Sequence, residues 1–167
     1  MHDISYIREF PTEFDNIYRN KLIHGEVHDE NAHLLGGVAG HAGLFSTAKD
    51  IGKYSKMMLD HGLWAGRRLF KSDDIVNFTQ RHNLPIDSER TLGWDTPSRN
   101  GKSSAGDYFS ESSYGHLGFT GTSIWIDPDN QVIVVLLSNR VHPSRMRGGI
   151  YGIRRDFHMA ILSELLK

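Results

Sequence analysis

The sequence predicts a mixed α/β protein of the α+β type, an antiparallel sheet covered by helices. Three observations carry this. Residues 122–127 (TSIWID) and 131–138 (QVIVVLLS) are β-rich runs joined by Pro128-Asp129-Asn130, a turn in which Pro presets its dihedral and Asn tolerates a left-handed one. The second run is continuously apolar, as a strand covered on both faces requires. Two flanking segments carry apolar residues at helical spacing and can supply that cover.

In chain order, FPTEFDNIYRNKLIHG (10–25) is polar and aromatic with weak periodicity and reads as loop and short helix. LLGGVAGHAGLF (34–45) has Gly36, Gly37, Gly40 and Gly43 and reads as a tight, irregular segment. Ser46 or Thr47 then opens a helix to about residue 62, with Ile51, Tyr54, Met57 and Met58 as its apolar stripe and Gly62 as its stop. A second helix spans about 72–81, with Ser72 as cap, Asp73 and Asp74 in its first turn, and Ile75, Val76 and Phe78 inside; Pro85 lies beyond its end. RNGKSSAGDYFSESS (99–113) reads as a long surface loop. After the hairpin, residues 150–167 place Ile153, Phe157, Ala160, Ile161 and Leu165 on one face, giving a C-terminal helix laid over the sheet.

Composition narrows the function. At 167 residues, 38% hydrophobic and 23% charged, the chain is expected to form one domain over 1–167. A formal net charge of -1 argues for no nucleic-acid partner and no anionic-membrane patch. The absence of cysteine excludes disulfides and thiolate chemistry. No signal peptide is visible at Met1 and no run is long enough for a membrane span, so any export signal is expected outside this chain. Ten histidines raise the question of a metal, but His24 and His28 straddle Gly25 and do not form a helical H-E-x-x-H pair. No metal and no cofactor are expected. His41, between Gly40 and Ala42, is expected to be packed and hydrogen-bonded.

The strongest chemical signal is YGHLGFTGTS (114–123). Gly115, Gly118 and Gly121 at the head of a strand imply close backbone approach, with His116, Thr120 and Thr122 among them. One reading is a bulged edge strand. The other is a substrate-binding edge, with backbone N–H groups aimed at an oxyanion and His116 as a proton or hydrogen-bond partner.

The ordered set GGVAGHAGLFSTAKD, LGWD, YGHLGFTGTSIWIDP and VVLLSNRVHP resembles the C-terminal part of the serine β-lactamase-like family, which holds class C β-lactamases, esterases and penicillin-binding proteins. It is most similar to the version fused behind a family 3 glycoside hydrolase domain. GEVHDENA (25–32) resembles a family loop close to the cleft. The resemblance implies a β-lactamase/transpeptidase-like fold, its later portion only, without the segment that carries S-x-x-K and Y-x-N. It implies that His116-Leu117-Gly118 is the family's strand motif, that His116 orients or shuttles protons, and that the backbone N–H of Phe119 is an oxyanion donor. Gly118 and Thr120 would contact substrate, a small molecule or cell-wall-derived material. The complete protein would transfer an acyl group to serine and hydrolyse an ester, amide or β-lactam outside the cytoplasm, in the periplasm or its equivalent. This chain alone is expected to be inactive; a non-catalytic scaffold appended to a cell-wall glycoside hydrolase is the alternative. A face left open by the missing lobe could support a homo-oligomer.

Ser46-Thr47-Ala48-Lys49 also fits S-x-x-K, and Ser98-Arg99-Asn100 fits S-x-N. Their spacing does not suit the family's order, since only 15 residues separate Asn100 from His116. A serine or threonine before an amphipathic helix caps it, which contributes about 1 kcal/mol. Ser46 as a nucleophile would need Lys49 within hydrogen-bond reach and His116 nearby.

Overall fold

The computed structural model describes residues 10–99 and 103–167. They fall into two compact units, one of residues up to 45 with 139–148, the other of 46–138 with 149–167.

In the first unit the opening polar segment forms a hairpin, not the expected short helix. β1 (Glu13–Asp15) pairs antiparallel with β2 (Lys21–Ile23). The cause is Asp15, whose buried carboxylate accepts from the Ile17 and Tyr18 N–H groups and from Arg19 Nε at 2.9 to 3.0 Å, bending the chain back. Arg19 continues the tie by donating to the Val27 and His28 carbonyls. α1 (Glu30–Leu34) follows, capped by Asp29 Oδ1, which accepts from the Ala32 N–H at 2.8 Å. Ile23, Val27, Ala32 and Val141 are buried apolar residues of this unit. The glycine run after α1 is irregular, as its composition predicts, with Gly36, Gly37 and Gly43 all at positive φ.

The second unit is a three-layer arrangement. α2 (Ala48–Leu59) and α3 (Ser72–Thr79) lie to one side of a sheet of order β5-β6-β7, formed by Tyr114–Leu117, Ser123–Asp127 and Val132–Leu136. α4 (Ile150–Leu165) lies on the other side. All pairings are antiparallel, and the register sets Tyr114 opposite Ile126, and Trp125 between Gly115 and Val134. Because alternate residues face opposite ways, one face gathers Tyr114, Ile126 and Ile133 against Met57, Met58, Leu59 and Ile75. The other gathers Trp125 and Val134 against Leu162, Phe157, Ile161, Ala105 and Phe109. β7 is therefore covered on both faces, as its apolar run predicts. A short hairpin, β3 (Leu63–Trp64) and β4 (Arg67–Arg68), turns at Ala65 and Gly66, both at positive φ.

Several details differ from expectation. α3 is capped at Lys71 with no side-chain bond, and Ser72 is its first helical residue. In the β6–β7 turn the left-handed residue is Gln131 and not Asn130. Asn130 instead donates to Asp127, whose buried carboxylate also accepts from Ser110 and from the Asp129 N–H. The supposed surface loop turns inward: Ser103, Ser104, Ala105 and Phe109 are buried, the last two packing on Trp125. Asn100 lies outside the described residues. On α4 the buried line is Arg154, His158 and Leu162, with Phe157 and Ile161 beside it, while Ile153 and Leu165 are exposed. Polar groups can occupy that line because each finds partners inside.

Candidate functional site

β5 holds the strand motif at the edge of the sheet. His116 is exposed on it, and its Nδ1 lies 3.0 Å from the Leu117 carbonyl, the contact of a donating N–H. Nε2 then carries the lone pair, and Arg90 Nη2 stands 3.5 Å from it. Arg90 is tied by Nη1 to Asp95 Oδ1 at 2.6 Å. Asp95 is fixed in turn by two backbone bonds with Gly115, at 2.8 and 2.9 Å, on the outer side of β5. A carboxylate, a guanidinium and an imidazole are thus arranged along the start of the motif.

Beyond Leu117 the chain makes a narrow turn. The Gly118 N–H donates to the Thr122 carbonyl at 2.8 Å and the Gly121 N–H to the Gly118 carbonyl at 3.1 Å, which places Phe119 and Thr120 at the tip. Arg154 braces the turn from α4, its Nη2 donating to the Gly118 carbonyl at 2.5 Å and to that of Thr122 at 2.7 Å. Ser138 Oγ holds the Gly121 carbonyl from β7's end. The Phe119 ring is exposed, whereas Thr120 is half-buried. The glycines of the motif serve the fold first: a Cβ at Gly115 would meet the Ile124 carbonyl and Trp125, and one at Gly118 would meet Thr122 Oγ1. Their close approach is to neighbouring strand residues. What remains available for chemistry is the imidazole of His116 and the braced turn three residues along.

Behind Asp95 lies a shallow cleft of roughly 300 Å³, walled by Arg90, Thr96, Ser103 and Tyr151 and floored by Trp125. Next to the motif, His158 is fully buried. Its Nδ1 faces the Ser104 carbonyl at 2.9 Å and its Nε2 faces Ser123 Oγ at 3.1 Å. Burial pushes its pKa down, the nearby Arg154 adds to that, and the Ser104 bond opposes it. A neutral ring, donating from Nδ1 and accepting at Nε2, satisfies both contacts.

The other candidates separate cleanly. Thr47 is the cap of α2, its Oγ1 3.2 Å from the Asp50 N–H. Ser46 Oγ is exposed and directed at the Thr47 carbonyl, so its hydrogen-bond partner is backbone. Ser98 donates to Glu89 Oε1 at 2.7 Å. His28 is paired with Glu13 and His41 with Asp29, at 2.6 and 2.9 Å. His41 is hydrogen-bonded as expected but exposed, not packed. Among the described residues no group of three His, Asp or Glu is placed to hold a metal.

Sequence reasoning missed Arg90, Arg154 and His158. LGWD pointed near Arg90, since Asp95 is its last residue, but no spacing rule links position 90 to 116. Arg154 and His158 were passed over because a polar residue on an amphipathic helix is ordinarily taken for its wet face.

A family profile for β-lactamases matches residues 5–156. The chain belongs to the β-lactamase family. Two relatives, from Salmonella gallinarum and Salmonella typhi, both described as "Putative D-alanyl-D-alanine carboxypeptidase", are 41% identical over 140 residues, 81% of this chain. The chain spans only 31% of their length. A solved β-lactamase from Mycobacterium bovis superposes with a TM-score of 0.59 at 19% identity, over 74% of this chain and 46% of that one. The β-lactamase/transpeptidase-like fold follows from this, and the chain contains part of it. Among the described residues no helix is long and apolar enough to cross a membrane.

Proposed function

We propose that this chain supplies the strand wall of a serine acyl-transfer site, and that the complete domain hydrolyses an amide, ester or β-lactam through an acyl-enzyme. The observation that carries the reading is the exposed His116 beside the braced turn of Phe119 and Thr120. The Phe119 N–H at this turn is assigned the oxyanion-donor role, which in known acyl-transfer sites is worth about 3 to 4 kcal/mol when one donor is lost. His116, with its hydrogen on Nδ1, can accept a proton at Nε2 beside the nucleophile, and Gly118 and Thr120 line the substrate path. The relatives' name favours a peptide ending in D-alanyl-D-alanine as the substrate class, and an extracytoplasmic site of action.

The nucleophile is assigned outside residues 1–167, because Ser46 lies at a helix cap with Thr47 and its hydroxyl meets only backbone. On this reading the chain is a partial domain that lacks the segment carrying S-x-x-K and Y-x-N, and is inactive alone. The arrangement behind a glycoside hydrolase rests on sequence motifs only, and the matched relatives carry the carboxypeptidase name. Incubation of the purified chain with a fluorescent penicillin tests this. No covalent label is expected; a label mapped by mass spectrometry to Ser46 would overturn the assignment.

A further inference from the structure

We propose that the cleft behind Asp95 is a second binding site, separate from the His116 edge, and that it takes the ring of a neutral saccharide. Its volume of roughly 300 Å³ reaches the lower end of small-molecule pockets and suits a single sugar ring. Trp125 on its floor is 1% exposed, and the indole N–H is buried without a hydrogen-bond partner. A buried donor left unpaired is costly, and an acceptor oxygen brought to the floor relieves that cost. The wall adds two serines from the segment that turns inward. Ser103 Oγ accepts from the Ala105 N–H at 3.1 Å and keeps its own hydrogen to give. The Ser104 hydroxyl has no hydrogen bond among the described residues.

These groups call for acceptors on the ligand, and the rest of the lining calls for donors. Glu89 is held as a carboxylate, its pKa lowered by bonds from the Ser98 hydroxyl and the Arg99 N–H. Asp95 is a second carboxylate, paired with Arg90. Two carboxylates against one guanidinium turn away an anionic ligand, and so polar a lining turns away an apolar one. A peptide strand would need free backbone groups at a sheet edge, and those of Gly115 are taken by Asp95. A saccharide hydroxyl both donates and accepts, and the sugar ring can lie on Tyr151, which lines the cleft and is 48% exposed. The register separates this site from the first. Gly115 pairs with Trp125 and His116 with Ile124; Trp125 packs on the α4 side of the sheet and Ile124 on the α2 side. Since His116 shares the face of Ile124, it projects away from the cleft. The inference therefore does not rest on the acyl-transfer reading, and either result with a fluorescent penicillin leaves it standing.

The test is titration of the isotope-labelled chain with methyl β-D-glucopyranoside and with N-acetylglucosamine, neutral rings without and with an amide, followed by nuclear magnetic resonance of the three indole N–H groups. The Trp125 resonance should move saturably at millimolar sugar, while those of Trp64 and Trp94 stay in place. Ser104→Ala and Tyr151→Ala should each weaken binding about threefold to tenfold, the worth of one contact, and keep the unfolding midpoint of the parent chain. No shift with either sugar overturns the proposal, as does a shift that both substitutions leave at the parent's affinity. A response to acetate or phosphate and to neither sugar would assign the cleft to an anion. A response to N-acetylglycinamide and to neither sugar would assign it to a peptide. Each of these also overturns the proposal.

Discussion

Gly115 and Trp125 face each other across β5 and β6, and the indole fills the space that a side chain at 115 would need. A Cβ there would stand 2.3 Å from the Ile124 carbonyl and 2.5 Å from the ring. Neither neighbour can yield, since Trp125 is packed between Phe109, Val134 and Leu162. Gly115→Ala should therefore cost about 3 kcal/mol, the upper end of overpacking penalties. Gly118→Ala meets chiefly Thr122 Oγ1, at 2.1 Å, and a threonine hydroxyl can rotate away, so its cost should be nearer 1 kcal/mol. Urea titration followed by tryptophan fluorescence measures both, and equal losses would show that the indole is not the constraint.

The start of α2 makes a second contrast between neighbours. Thr47 Oγ1 accepts from the Asp50 N–H, whereas Ser46 Oγ contributes to no helical N–H. Thr47→Ala should lose about 1 kcal/mol, the ordinary worth of an N-cap. Ser46→Ala should stay within about 0.5 kcal/mol of the parent, as exposed surface substitutions do. A larger loss at Ser46 in the same urea titration would reverse the assignment of the cap.

The difference between what the sequence disclosed and what it hid follows from the range of the forces involved. The β6–β7 hairpin, α2 and the cover on both faces of β7 were legible because apolar period and turn chemistry act locally. The first hairpin was not, because Asp15 bends it through side-chain bonds to three following residues, and the apolar alternation in FPTEFD is too short to announce a strand. Buried polar residues were the main loss. Asp127 gathers Ser110 from seventeen residues away, and Arg154 reaches Gly118 across thirty-six. At the candidate site, His116 and the Phe119 turn could be placed from the motif and the resemblance. The Arg90 and Asp95 partners depended on a single backbone bridge at Gly115 that no local pattern reports.

Glu13 gives the first unit an acid limit. Burial alone would raise its pKa, but bonds from Arg145 and His28 prevail and hold it at about 2, against 4.5 for an ordinary glutamate. A carboxyl depressed in the folded state stabilises above its unfolded pKa, and that contribution is lost as pH falls from about 4.5 to about 2. The full effect is of the order of 3 kcal/mol. The three tryptophans lie at 64, 94 and 125, in the second unit, so the readout is hydrogen exchange of the Arg145 amide, which donates to Glu13 Oε1 at 2.6 Å. Its protection should fall steeply between pH 4.5 and 2. Glu13→Gln should exchange faster at pH 6 and lose that steep dependence; an unchanged profile would contradict the pairing.

His158 sets a milder limit on the second unit, with the same sign. Its folded pKa lies below the usual 6.5, chiefly because burial disfavours the imidazolium, with Arg154 adding repulsion and the Ser104 carbonyl opposing it. Above 6.5 the ring is neutral in both states and its contribution is complete. As pH drops below 6.5 the unfolded chain takes up a proton that the folded chain still refuses, so stability declines until the folded pKa is reached. The urea midpoint read from Trp125 and its fellow tryptophans should therefore move down from pH 7 to pH 5. His158→Phe leaves the Ser104 carbonyl and the Ser123 hydroxyl without the ring, so its stability at pH 7 should be lower by about 1 to 3 kcal/mol. Its decline from pH 7 to pH 5 should nevertheless be shallower than that of the parent, because the residue that takes up the proton on unfolding is gone. Parallel declines in the two proteins would place the acid sensitivity elsewhere in the chain.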